Sequence, residues 1–338
     1  MTLRDRALGA LSGLALGDAL GMPTQSMSRA AIASRYGRVD TLLPGAEDQP
    51  IAPNLPAGTV TDDTEQALML AELLIAGDGI VDPLEFASAL ASWEKEMIRR
   101  GSLDLLGPST RRALSRLYDG ESPDRTGRDG ATNGAAMRIA PVGVAVPTED
   151  LDILVDAVVD ASRVTHNTGI GIAGASAVAA AVSACLDGAS LDAALDHAEH
   201  AAAIGGSRGH WTAGGDIAAR IRWARGWVRE MTTAQLVDAV SEVIGTSVAA
   251  QESVVAAFAL AERFGDDPRT ALTVAASVGG DTDTIAAMCG AVLGAYHGAG
   301  ALPADLVATV RRVNALDLGP TVDGLLALRS RRTPSGHH

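Results

Sequence analysis

Gly279-Gly280-Asp281-Thr282-Asp283-Thr284 sets two carboxylates and two hydroxyls into four positions, between the apolar runs 272–276 and 285–288. Apolar flanks predict burial, and a buried carboxylate without a counter-charge is costly. No Lys or Arg lies in the segment. A hard cation, which chooses carboxylate and hydroxyl oxygens, is the natural partner. One such cluster does not fill a coordination sphere, so a second is expected elsewhere. Thr61-Asp62-Asp63-Thr64-Glu65 supplies it. Thr61 is also a good N-cap for the helical run that follows, and acids in a first turn favour the helix dipole. At that cluster, capping and metal binding compete as explanations.

The surrounding composition bounds the fold. Of 338 residues, 47% are hydrophobic but only 3% aromatic, so the core must be built from Ala, Leu, Val and Ile. That composition suits closely packed helices and argues against a β-sandwich or barrel. With no sustained period-2 alternation and no repeat, the expectation is an all-α single domain over residues 1–332, with 333–338 a disordered tail. The net charge of −14 argues against nucleic acid or anionic membrane as a partner. Cys185 and Cys289 sit in Ala-rich stretches and are expected to be buried free thiols. With no signal peptide legible in Met1-Thr2-Leu3-Arg4-Asp5-Arg6, a cytoplasmic location is expected. The uncharged run 168–186 approaches membrane-spanning length, yet its Gly, Ala and Ser content predicts a buried core helix.

Outward from the two acidic clusters, the periodicity predicts a helix over 3–20 whose Gly9, Gly13, Gly17 and Gly21 line one face. Each glycine costs roughly 0.8–1 kcal/mol of helix propensity, so four on one stripe imply a backbone in close approach. Asp18 lies beside the stripe, and Thr24 and Gln25 follow on a loop. Gly290, Gly294 and Gly298 repeat the spacing near the C-terminus. Residues 36–59, with Pro44, Pro50, Pro53 and Pro56, read as a long loop able to cover a site. Helices are expected over 83–99, 109–118, 151–164, 169–186, 191–204, 215–230, 234–245, 252–264, 269–278, 285–297, 304–315 and 322–332. Asn133-Gly134-Ala135-Ala136-Met137-Arg138 is expected to open a short helix whose N–H groups and arginine could hold an anion. His166 falls on a helix break, where a capping or hydrogen-bonding role is the simpler expectation.

The two acidic clusters start helices, and the glycine stripes would let those helices approach. If they face each other, four carboxylates and two threonine hydroxyls form an all-oxygen, two-cation site. No HExxH, Cys/His zinc set, P-loop or EF-hand spacing is present. One GxSxG match, Gly205-Gly206-Ser207-Arg208-Gly209, lacks the preceding strand of a nucleophile elbow and reads as a loop.

Gly17-Asp18-Ala19-Leu20-Gly21, Thr61-Asp62-Asp63-Thr64, Asn133 to Arg138 and Gly279 to Thr284, taken in that order, resemble the ADP-ribosylglycohydrolase superfamily, which includes the dinitrogenase reductase-activating glycohydrolases. The resemblance spans nearly the whole chain. It implies an all-helical orthogonal bundle with a dinuclear magnesium or manganese site. Thr61, Asp62, Asp63, Asp281, Asp283 and Thr284 fall on the ligand positions. The implied reaction cleaves the glycosidic bond at the anomeric carbon of an ADP-ribosylated substrate. Asp62 and Asp283 are the expected catalytic groups, and Gln25, Asn133, Gly134, Arg138 and His166 would bind substrate. Two departures stand out. Gln25 replaces a family glutamate and cannot carry a proton, and a family aspartate near Leu105 is matched only by the neighbouring Asp104. Two other functions remain open at this point: a nucleoside or nucleotide N-glycosidase on the same scaffold, as in a bacterial branch, and a non-catalytic ADP-ribose-binding protein.

Overall fold

In the computed structural model, residues 1–103 and 106–332 are described; Asp104, Leu105 and the expected tail at 333–338 lie outside the described residues. The all-α expectation holds. Among the described residues the order is α1 (Leu3–Gly21), α2 (Arg29–Tyr36), α3 (Asp62–Ala76), α4 (Pro83–Arg99), α5 (Pro108–Tyr118), α6 (Pro123–Thr126), α7 (Ala140–Ala145), α8 (Leu151–His166) and α9 (Gly169–Leu186). There follow α10 (Leu191–Gly206), α11 (Ile217–Val228), α12 (Thr233–Ala239), α13 (Ala250–Arg263), α14 (Pro268–Ala275), α15 (Thr282–His297), α16 (Ala304–Val313) and α17 (Leu318–Arg332), with no β-strand.

The uncharged α9 is the centre of the core: every residue from Ile170 to Leu186 is buried. It packs against α7, α8, α10 and α15, which settles its membrane-like length in favour of a core helix. Cys185 and Cys289 are buried and free, as expected, and burial pushes both thiols up to about 12.

The closest packing in the molecule joins α1 to α15. A Cβ on Gly13 would stand 2.1 Å from the carbonyl oxygen of Gly290, one on Gly9 2.1 Å from that of Gly294, and one on Gly17 2.0 Å from that of Ala286. Both stripes therefore do what their spacing implied. The pairings run in opposite directions along the chain, so the helices are antiparallel. The C-terminal end of α1 then lies beside the N-terminal end of α15. At that end a Cβ on Gly21 would meet the Asp283 backbone at 2.4 Å.

Three local expectations differ from the structure. Residues 133–138 form consecutive turns, and the helix begins only at Ala140. The Asn133 N–H donates sideways to the Val248 carbonyl, and Pro141, which has no N–H, suits only the first turn of a helix. The helix expected over 234–245 is α for seven residues and widens into a π-turn over Val240–Ile244 before Gly245 at φ +93. The unforeseen α2 buries only Ile32, too little for an apolar period to be legible. Its Ser28 hydroxyl caps it by accepting the Ala31 N–H.

Substituting Gly13→Ala should lower the unfolding free energy by about 1–3 kcal/mol, the usual range for overpacking, because the obstruction is backbone. Gly226→Ala on α11, where nothing lies within 4 Å, should raise it by about 0.5–1 kcal/mol through helix propensity. Urea denaturation of the two variants measures both, and equal behaviour would contradict the seam.

Candidate active site

The site is assembled where α1 ends and where α3 and α15 begin. Asp18, fully buried in the last turn of α1, sends its carboxylate to the start of α3. There it accepts the Thr61 N–H at 3.0 Å, the Thr61 hydroxyl at 2.8 Å, the Thr64 N–H at 3.1 Å and the Thr64 hydroxyl. A helix N-terminus exposes N–H donors and partial positive charge, and Asp18 caps it from a different helix. Burial pushes Asp18 up to about 6 even against those four bonds.

Thr61 is the N-cap of α3, its hydroxyl accepting the Asp63 N–H at 3.4 Å. The cap explains why the turn is helical, but it leaves one buried oxygen over. Asp63 Oδ2 accepts the Thr284 hydroxyl from α15 at 3.2 Å, while Asp63 Oδ1 is buried without a hydrogen-bond partner. Burial first, then the charges of Asp62, Asp283, Asp18 and Asp281, hold Asp63 well above the usual carboxylate range.

Gly279 and Gly280, at φ +82 and +75, turn the chain into α15 in a conformation that costs glycine nothing. The Gly280 N–H donates to the Met27 carbonyl, the Ser26 N–H to the Gly280 carbonyl, and the Asp281 N–H to the Thr246 carbonyl. The Thr24 hydroxyl ties the same turn to α14, lying 2.7 Å from the Ala276 carbonyl oxygen and 2.9 Å from the Thr282 hydroxyl. This pinned double-glycine turn directs both Asp281 and Asp283 onto one cavity. The cavity, about 230 Å³, is walled by Asp62, Asp281, Asp283, Thr284, Gln25 and Asn133, with Gln66, Thr132, Gly134 and Arg111 also on its surface. Its apolar wall is Ile51, Leu103, Leu106, Met137 and Val248.

The six expected ligand residues come together. Thr61 and Asp63 stand just behind the wall that Asp62, Asp281, Asp283 and Thr284 form. Among the described residues no three His, Cys, Asp or Glu side chains make a ready-built metal cage. The contact between the two clusters is hydroxyl to carboxylate, Thr284 Oγ1 donating to Asp63 Oδ2. The oxygen-only donor set and the partnerless Asp63 Oδ1 fit a hard cation.

The expected substrate-binding residues separate into two groups. Gln25, Asn133 and Gly134 lie on the cavity wall. Gln25 is buried, and its Nε2 has no hydrogen-bond partner. Asn133 donates through Nδ2 to Asp281 Oδ2 and to Ser253 Oγ, so it also orients a carboxylate. Arg138 and His166 are fully buried one layer behind the wall, and the structure gives them interior partners in place of the contact with substrate expected of them. Arg138 lies over the Phe86 ring at 4.8 Å and donates to Gln66 Oε1 at 2.9 Å and Thr165 Oγ1 at 2.6 Å. Gln66, overlooked in the sequence, donates in turn to Asp62 Oδ2 at 2.9 Å. Its place one helical turn after Asp62 was the available signal. The GxSxG match ends α10 with no strand before it, and the Ser207 hydroxyl donates to the Ile204 carbonyl.

A family model described as ADP-ribosylglycohydrolase matches residues 1–334. The chain is 35% identical over 329 residues to an Escherichia coli protein, Uncharacterized protein YegU, covering 97% of this chain and 98% of that one. It is 28% identical to the ADP-ribosyl-[dinitrogen reductase] glycohydrolase of Rhodospirillum rubrum, covering 97% of each. A solved structure described as an ADP-ribosylglycohydrolase-related protein complex superposes with a TM-score of 0.67 at 27% identity, covering 98% of this chain and 99% of that one.

Asp18→Asn replaces one acceptor oxygen by a donor facing donors. The expected loss is about 2–4 kcal/mol of stability, since buried donors are left unsatisfied. Chemical denaturation measures it, and an unchanged midpoint would contradict the assigned role of Asp18.

Proposed function

Because the chain belongs to the ADP-ribosylglycohydrolase family, a family of hydrolases, we propose that this cavity cleaves the glycosidic bond at ribose C1 of an ADP-ribosylated substrate. The reading is carried by two acidic helix starts that share one cavity, with the buried Asp63 Oδ1 behind it lacking a hydrogen-bond partner among the described residues. Members of the family are metal-dependent, and the proposed cofactor is magnesium, two ions by the donor count, with manganese as the substitute. Thr61, Asp62, Asp63, Asp281, Asp283 and Thr284 would hold them. When bound, the cations supply the positive charge that offsets the carboxylates and makes nearby hydroxyls and water more acidic.

The chain's own groups divide the remaining work. Breaking the C1 bond builds positive charge on the ribose ring, as in other glycoside hydrolysis, and the carboxylates of Asp62, Asp281 and Asp283 face that charge. Asp62 or Asp283 takes the proton of the attacking water as the C1 bond to the leaving group breaks, and that same proton then passes to the leaving group, which departs neutral. Gln66 and Asn133 keep Asp62 and Asp281 in place through the bonds described above. Gln25 has an amide, so it can donate a hydrogen bond to a substrate oxygen but carries no proton. Ile51, Leu103, Leu106, Met137 and Val248 give the cavity an apolar wall against which a ribose or base can lie.

A second reading, nucleoside or nucleotide cleavage, is favoured by one observation. Arg111 is the one basic side chain among the described residues on the cavity wall, and its Nε already donates to the Leu106 carbonyl. Such a wall offers a diphosphate little charge.

Incubating the protein and Mg²⁺ with ADP-ribosylated peptides and a nucleoside panel, followed by mass spectrometry, separates the two. Release of ADP-ribose is the expected result, whereas free base without ADP-ribose supports the second reading. Asp283→Ala should lower turnover at least about 10²-fold, in keeping with the loss of an electrostatic catalytic group. In metal-stripped protein, Mg²⁺ should raise the melting temperature, and Asp63→Asn should abolish that rise. Full activity in excess chelator would overturn the metal assignment.

A further inference from the structure

Arg138 roots two hydrogen-bonded relays, and one of them ends at the cavity with a proton left over. A guanidinium only donates. Through Gln66 the first relay ends on the Asp62 carboxylate, an acceptor within the protein. The second begins where Thr165 Oγ1 accepts from Arg138 Nη2 at 2.6 Å. The Thr165 proton then goes either to His166 Nδ1 at 2.8 Å or to the Ser162 carbonyl at 3.5 Å. The shorter contact takes it, so His166 Nδ1 is the acceptor. Burial, with the charges of Arg138 and Arg112, holds the His166 imidazole well below its usual range, so the ring is neutral. Its one proton is therefore on Nε2.

That Nε2–H lies 2.8 Å from Thr132 Oγ1, which accepts it and keeps its own hydroxyl proton. Thr132 Oγ1 makes no other hydrogen bond among the described residues. Thr132 lies on the cavity wall, and its backbone is fixed by a bridge to Ala249, flanked by Asn133 N–H donating to the Val248 carbonyl and Ala250 N–H to the Ala131 carbonyl. Gly134 lets the imidazole lie against the same turn, since a Cβ there would stand 2.8 Å from His166 Cε1. Across the cavity, the Gln25 amide is a second donor without an acceptor.

We propose that Thr132 is a specificity-determining residue of this cavity: its hydroxyl, oriented by the buried Arg138–Thr165–His166 relay, donates to an acceptor oxygen of the ribosyl ligand. A ligand that presents only an N–H donor, with no lone pair to accept, leaves two donors facing each other at that point and is rejected. The ligand half of this assignment rests on the ribosyl-cleavage reading above; the relay does not.

Two measurements test it on the full chain. ¹⁵N NMR of histidine-labelled protein should find His166 neutral and protonated on Nε2. Protonation on Nδ1 overturns the proposal, because Thr132 would then spend its proton on the ring. Calorimetric titration with ADP-ribose and with adenosine forms the second arm, using Thr132→Val and Thr132→Ser. Losing one hydrogen bond should weaken binding about three- to tenfold in the valine variant. The serine variant, which keeps the hydroxyl, should stay within about twofold of the parent on the same scale. Equal losses in both variants, or none in the valine variant, overturn it. A parent protein that binds neither probe, with the Nε2–H form present, overturns the ribosyl reading and the ligand half together, while the relay stands.

Discussion

The contact between the backbones of α1 and α15 is the constraint from which the rest follows. Gly9, Gly13 and Gly17 face Gly294, Gly290 and Ala286 with no room for a Cβ between them. Helices this close have a fixed register, because the seam contains no side chain that could change rotamer. The register brings Asp18 and Asp283 to the same end of the pair. From there Asp18 captures the start of α3, and the Thr284 hydroxyl reaches Asp63. Two acidic turns far apart in sequence thus face one cavity through a chain of short, buried contacts.

Much of this was legible in the residues. The four-residue glycine period announced a close helix pair, and the paired Asp and Thr at two predicted helix starts announced an oxygen site. What stayed hidden has a common cause. Asp18 was visible as an acid beside a stripe and within a motif, but not its role, because its partners are N–H and hydroxyl groups at the start of another helix. Arg138 looked like an anion binder because it followed an expected helix start, where N–H groups and a guanidinium can share an anion. Its burial over Phe86 depends on packing between α4 and the 133–138 turns, which sequence spacing does not encode. Gln66 and Thr132 are ordinary in composition and acquire meaning only through the geometry of Asp62 and His166. The α2 helix escaped for lack of an apolar period.

A buried guanidinium beneath an acidic cavity has an electrostatic sense. Arg138 is drawn down to about 10 by its burial, with Asp62 opposing that effect, and remains a cation close to carboxylates that repel one another. Its bonds to Gln66 and Thr165 direct polarised N–H and O–H groups toward the cavity from below. Polar groups satisfied in this manner hold a unique arrangement, since each lost member leaves the next unsatisfied.

The glycine seam also has a temporal consequence. Asp63 and Thr284 are 221 positions apart, and Thr24 and Thr282 are 258. A nascent chain can form α3 and cap it with Asp18 early, but the opposing half of the oxygen cluster does not exist until residues 281–284 have been synthesised. Contacts of such long range close late in folding. The unfinished chain therefore presents only half of the oxygen cluster, and the cation site proposed above would exist only in the completed fold.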